Sequence, residues 1–355
     1  MMITRRQLLQ MGGAAAALTA AAAPSARAQG LKSGMGIGNS SYSLRSLADR
    51  RSGTKEPFTE PLSLLEHCRE IGAGGIQASL RSTERGYVNQ VRKLAEKYGM
   101  YVEVNVRLPR EQTDLDEFKR TVQSAKDAGA VALRAVTLGE RRYETFDTAD
   151  AFLQFAQQAW KSLALAEPVV RRQRMKLAVE NHKDWRVDEM VAMLKKLSSE
   201  SVGVTLDTGN NIALLDHPMK TVEALAPYAY SVHLKDMGVE ESERGFLLSE
   251  VPFGEGFLDL KKIVQTVQRS QPNTRFTLEM ITRDPLEIPV FTEKYWPTFA
   301  ALPGRDLAMM LVAVKNNKPA KPLPRISHLS PEQQLQTEEE NVRKCIAYAA
   351  EVLGI

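Results

Sequence analysis

Four short apolar runs of this chain end in side chains that can hold a cation. They are "KLAVEN" with Glu180, "VGVTLD" with Asp207, "YSVHLK" with His233 and "RFTLEM" with Glu279. Singly, each has an ordinary explanation. Asp207 before Thr208 and Gly209 reads as a turn residue, His233 as a hydrogen-bonded core histidine, and Glu279 as an ion-pair partner. Together they point to one site. The first two intervals, 27 and 26 residues, are each about one strand-plus-helix unit, and the third is longer. Adjacent parallel strands lie about 4.8 Å apart, so ends in register converge. Three carboxylates meeting there repel one another unless a cation neutralises them. Three oxygens and one imidazole nitrogen with open positions suit one divalent ion: Mn²⁺ first, with Mg²⁺, Co²⁺ or Zn²⁺ as alternatives.

Positioning such a set requires a closed frame. Further strand-type runs precede these four: "MGIGNSS" at 35–41, "GGIQASL" at 74–80, "YVEVNVR" at 101–107 and "VALRAVT" at 131–137. Amphipathic helical stretches alternate with them, among them "PLSLLEHCREIG", "YVNQVRKLAEKYG", "TDLDEFKRTVQSAKDAG" and "RVDEMVAMLKKLSS". Two of these run into "YGM" and "AGA", where glycine can take the left-handed position that ends a helix. Eight such alternations predict an α/β fold, a (β/α)₈ TIM barrel in a single domain, with an open doubly wound sheet as the other arrangement. Two segments exceed a minimal barrel: a loop at about 237–257, and a Pro- and Lys-rich stretch at about 285–327. Both follow strands, on the face where barrel active sites form, and are expected to wall or cover a pocket. The second is equally suited to building a homo-oligomer. The pattern from Pro331 to Leu353 is expected to be the eighth barrel helix.

At "LAVENH", "LDTGN", "VHLKD" and "GEGFLDL" the chain resembles the xylose isomerase-like barrels, the sugar phosphate isomerase/epimerase superfamily that includes ketose 3-epimerases and inosose dehydratases. The resemblance spans roughly Met35 to Glu279. It implies that Glu180, Asp207, His233 and Glu279 bind one divalent metal, and that Glu180 and Glu279 flank the substrate and move protons on and off carbon. Two positions depart from the ketose epimerases. Asn210 stands where they carry a histidine and Val239 where they carry an arginine, both of which touch substrate. The metal assignment survives these changes; an epimerase of free ketohexoses does not follow from it.

The chemistry expected is proton abstraction beside a carbonyl, through an enediolate favoured by the metal. Reprotonation gives a sugar isomerase or epimerase, the first expectation. Expulsion of a β-substituent gives a lyase or dehydratase on keto-sugars, such as 3-keto-glycoside cleavage, the alternative. A non-catalytic periplasmic sugar-binding protein is a third reading, one that would not need two flanking carboxylates. His182, Lys235 and Asn210 are placed to bind substrate, or to hold a ligand carboxylate. Trp185 and Trp296 are candidates for stacking on a sugar ring, with core packing as the plainer role for Trp185.

The first 28 residues read as an export signal. Arg5 and Arg6 precede an alanine-rich run, and "ARA" precedes Gln29, so cleavage after Ala28 by a twin-arginine route is expected, with a periplasmic or otherwise exported product. The remaining chain, about 327 residues, carries 44 basic against 43 acidic residues. That balance offers no nucleic-acid surface, and no mature stretch is long and apolar enough for a membrane span. The expected partners are a small-molecule sugar or keto-sugar and the export machinery. Export and the poor phosphate cradle of "GAGG" at 72–75 favour a non-phosphorylated substrate. Five histidines, with His67 and His328 away from the strand ends, fit a multi-zinc nuclease badly. Cys68 and Cys345 sit in helical patterns and read as two buried thiols.

Overall fold

The computed structural model describes residues 33–355. The segment expected to be an export signal, residues 1–28, therefore lies outside the described residues. Each of the eight strand-type runs forms a strand: β1 Gly36–Gly38, β2 Gly75–Ala78, β3 Tyr101–Asn105, β4 Ala130–Ala135, β5 Leu177–Glu180, β6 Val202–Asp207, β7 Ala229–Leu234 and, after two strands outside the barrel, β10 Arg275–Leu278. They close into one parallel barrel, β10 pairing with both β7 and β1. The expected (β/α)₈ barrel is thus the fold, in a single domain. A helix packs after each strand, the last being Pro331–Tyr348, which runs on through a wider turn to Leu353. This helix starts on a capping box between Ser330 and Gln333 with Pro331 in its first turn. The helix Arg85–Tyr98 stops because Gly99 takes φ 65°, where a side chain would be strained.

The segment expected as a loop after β7 is ordered differently. It is a hairpin, β8 Asp236–Ser242 and β9 Gly245–Val251, joined by Glu243 and Arg244. The strand β11 Leu286–Ile288 adds to its free edge to make a three-stranded antiparallel sheet. Gly245 is required there: its φ is 152°, and a Cβ would lie 2.2 Å from the Ile288 carbonyl oxygen.

From the second long segment, β11, a short turn at Glu293–Tyr295 and the helix Gly304–Asn316 fold over this sheet. They share an apolar cluster with it, built on Met237, Val239, Phe246, Leu248, Ile288 and Tyr295. The cluster also takes in Ile212–Leu215, which follow β6. Both insertions therefore form one layer over the carboxyl ends of β5, β6 and β7. Tyr295, fully buried, ties this layer down by donating its hydroxyl to the Ala213 carbonyl at 2.8 Å. Tyr295→Phe should cost about 1 kcal/mol, read as a lowered urea midpoint with an unchanged slope.

Among the described residues no helix is long and apolar enough to cross a membrane. Cys68 and Cys345 are buried free thiols.

Candidate metal centre

Glu180 and Asp207 are the last residues of β5 and β6, His233 lies one short of the end of β7, and Glu279 immediately follows β10. Register aligns them, Asp207 standing opposite His233 across β6 and β7. All four side chains are buried. One candidate ligand atom from each lies within 4.8 Å of the others. His233 Nδ1 is 3.4 Å from Glu180 Oε2, 3.5 Å from Glu279 Oε1 and 3.8 Å from Asp207 Oδ2.

The donor set fits a divalent cation. His233 Nδ1 and Asp207 Oδ2 are buried without an aligned hydrogen-bond partner, though Lys235 Nζ approaches Asp207 Oδ2 to 2.9 Å. The histidine tautomer follows from its neighbours. Glu103 Oε2 can only accept, so the Gln77 amide nitrogen donates to it at 2.8 Å. Gln77 Oε1 then accepts from His233 Nε2 at 2.7 Å, so Nδ1 faces the carboxylates, protonated in the metal-free site and able to offer its lone pair to a cation. Gln77→Leu removes that fixation and should weaken metal binding about 10–100-fold, as measured by competition with a chelating dye.

Two cations hold the ligand carboxylates. Arg134 on β4 donates Nε to Glu180 Oε2 at 2.7 Å, and its Nη2 bonds the same oxygen. Lys235 donates to Glu279 Oε2 at 2.6 Å. Burial pushes the Glu180 carboxyl up, but Arg134 and His233 outweigh it and hold it well below the usual range. Burial is likewise outweighed at Glu279, by Lys235 and His233. For Asp207, burial and the charges of Glu279 and Glu180 win over Lys235, and its carboxyl is pushed up to about 6. Burial lowers His233, but the carboxylates of Glu279 and Glu180 carry it to about 10. In the metal-free site His233 keeps its proton, and a divalent cation would have to displace it.

The structure brings the three expected substrate-binding residues to this site. Lys235 is fully buried between Asp207 and Glu279. Asn210 donates its amide to Glu180 Oε1 at 3.1 Å. His182 follows Glu180 by two residues, its Nδ1 buried without a partner, and burial lowers its pKa to about 4 so that the ring is neutral. The tryptophans serve packing. Trp185 stacks on Phe155 and donates to Thr137 Oγ1 at 2.8 Å, and Trp296 donates to the Val290 carbonyl and packs edge-on against Tyr295. Val239, one of the two departures, lies in the apolar layer over the barrel.

Several residues at the site had no assigned role from sequence. Arg134 sits inside "VALRAVT", where a charge within an apolar strand was the available signal. Gln77 and Glu103 gave similar signals on β2 and β3. Glu250 comes from the unrecognised strand β9 and receives two bonds from Arg283, at 2.7 and 3.2 Å. Ser40, just beyond β1, donates to Glu279 Oε1 at 2.9 Å. Lys183 bonds Asn210 Oδ1.

A family model described as "Xylose isomerase-like TIM barrel" matches residues 65–297. Among curated proteins, the chain is similar to 3-oxo-isoapionate decarboxylase of Pectobacterium atrosepticum, 24% identical over 254 residues that span 69% of this chain and 85% of the relative. Among solved structures, it is similar to a xylose isomerase-like TIM barrel protein from Mycobacterium smegmatis in complex with magnesium. That likeness has TM-score 0.51 and 17% identity, and covers 71% of this chain and 88% of the other. It is similar also to D-psicose 3-epimerase in the presence of D-fructose, with TM-score 0.52 and 16% identity, covering 82% and 93%. These likenesses to solved structures concern the fold. With the model match running over most of the barrel, the chain belongs to the xylose isomerase-like TIM barrel family.

Proposed function

We propose that this chain is a divalent-metal-dependent enzyme acting on a small, non-phosphorylated sugar or keto-sugar at the carbon beside its carbonyl. The observation that carries this reading is the buried set Glu180, Asp207, His233 and Glu279 at four successive strand ends of the barrel. A bound divalent ion, Mn²⁺ in the first instance, supplies the positive charge that favours an enediolate. Glu180 and Glu279 are the carboxylates that take and return the proton; Arg134 orients Glu180, and in the metal-free site Lys235 holds Glu279. His182 is neutral and can accept or donate a hydrogen bond to a substrate hydroxyl. The hairpin and the layer above it exclude water from β5, β6 and β7. On this reading the reaction is an isomerisation or epimerisation, and the Arg5–Arg6 signal supports action outside the cytoplasm.

A lyase reading has specific support. Ion pairs to Arg134 and Lys235 hold Glu180 and Glu279 below the usual carboxylate range, which weakens them as bases. Loss of CO₂ from a keto-acid needs no such base, because the electrons of the broken C–C bond form the enolate and an acid then quenches it. The similarity to a decarboxylase is consistent with this.

The test is a panel of free and keto-sugars with the metal-loaded protein in D₂O, followed by NMR. Deuterium entering a recovered sugar with no group lost supports the isomerase or epimerase. Release of CO₂, water or an aglycone supports the lyase. Neither signal across the panel would overturn the catalytic reading.

A further inference from the structure

Lys183 is an ammonium with no carboxylate in direct contact. It is 4% exposed, and its bond is to a neutral amide oxygen, Asn210 Oδ1. Among the described residues no carboxylate lies within ion-pairing distance of it. The adjacent Asp184 carboxylate is used by the Thr137 hydroxyl and the Trp185 N–H. A buried charge left in this way is costly, and proteins rarely keep one unless something pairs with it. The cost shows in its titration: burial, Lys235 and Arg283 outweigh Glu250 and Asp207 and push the Lys183 ammonium down to about 8.

Lys235 converges on the same atom. Its Nζ lies 3.3 Å from Asn210 Oδ1, so two ammonium groups share one amide oxygen deep in the site. The hairpin brings a third cation: Arg283 is paired with Glu250, and Glu250 Oε1 is 3.7 Å from Lys235 Nζ.

Charge balance says what is missing. At present Glu180 holds Arg134, Asp207 and Glu279 hold Lys235, and Glu250 is taken by Arg283. A divalent ion held by the first three carboxylates draws on that same charge, and leaves Lys183 on a neutral amide and Lys235 with Glu250 at 3.7 Å. Lys235 then loses much of the attraction that Asp207 and Glu279 now exert on it. A neutral sugar would leave the two ammonium groups uncompensated, and a carboxylate between them would pair with both.

We propose that Lys183 and Lys235, converging on Asn210 and backed by Arg283, form a subsite for a substrate carboxylate, so that the compound taken is a sugar acid. This inference rests on the metal-dependent reading above and narrows its substrate class. The carboxylate bridges the two ammonium groups and displaces their shared contact with Asn210. The subsite is complete only in the metal-loaded protein, because Lys235 is otherwise held by Asp207 and Glu279.

The experiment is isothermal titration of the Mn²⁺-loaded protein with D-gluconate, with D-glucitol and with D-glucose 6-phosphate. The first carries a carboxylate, the second no charge and the third a phosphate, and gluconate has no carbonyl to react. Gluconate is expected to bind at least about 10-fold more tightly than glucitol. Lys183→Met should abolish that preference while Mn²⁺ content and glucitol binding stay as in the native chain. Lys183→Gln, which can still donate to Asn210, gives the same comparison if the Met variant fails to fold. Equal binding of gluconate and glucitol would overturn the subsite. So would a gluconate preference that survives in the Lys183 variants, since chelation by the metal would then explain it. Tighter binding of the phosphate would also overturn it. Turnover of neutral keto-sugars with no acid preference would reject the subsite and leave the metal-dependent reading standing. Acid binding with no turnover or deuterium exchange on any keto-sugar or keto-acid would do the reverse.

Discussion

Glu279→Gln in the metal-loaded protein is expected to turn over about 10²–10⁴-fold more slowly than the native chain, a loss of roughly 3–5 kcal/mol of transition-state stabilisation. Glutamine keeps an oxygen for the metal and can still accept from Ser40, but it cannot take a proton as a carboxylate does. It also removes the partner of Lys235 at 2.6 Å, so metal content and thermal stability must be read beside the rate. Glu180→Gln is expected to behave in the same way, with Arg134 losing its partner. The rate should fall in kcat rather than in substrate affinity, because the proton moves only on the way to the transition state. A metal-loaded Gln variant with near-native turnover would reduce that residue to a ligand.

His233→Ala is expected to lower metal affinity by at least about 100-fold, since loss of a partner behind a ligand already costs 10–100-fold and here the ligand itself is gone. Asp207→Asn should act in the same direction, as it removes one of the three negative charges that draw the cation in. Elemental analysis after exhaustive dialysis gives the readout, with far-ultraviolet circular dichroism to show that the barrel persists. Full occupancy in both variants would mean that the cation lies elsewhere.

The barrel was legible because each of its strands is a short apolar run bounded by a helix-ending or helix-starting signal, as at Gly99 before β3. The clustering of Glu180, Asp207, His233 and Glu279 was legible because residues at strand ends need no knowledge of side-chain direction: every strand end in a parallel barrel faces the same mouth. The polar groups further down the strands were not legible for the opposite reason. Barrel strands are buried on both faces, so period-two alternation is lost and the sequence does not say that Gln77, Glu103 and Arg134 point inward. The hairpin was read as a loop because its turn lies in a run of charges, Glu240 to Arg244, that masks the alternation of Met237 and Val239 with Phe246 and Leu248 across it. Lys183 lies in the stretch beyond β5, and its direction is set by that backbone, which bonds back to Arg142 N and pairs with Arg141. No periodicity encodes such a contact.

The most direct test of the metal centre is a crystal of the protein grown with Mn²⁺ and measured for anomalous scattering. A single strong peak is expected at about 2.0–2.3 Å from one oxygen each of Glu180, Asp207 and Glu279 and from His233 Nδ1, with Lys235 Nζ no closer than its present hydrogen-bonding distances. A peak bonded to other residues, or none at this cluster with Lys235 still seated between Asp207 and Glu279, would contradict the account.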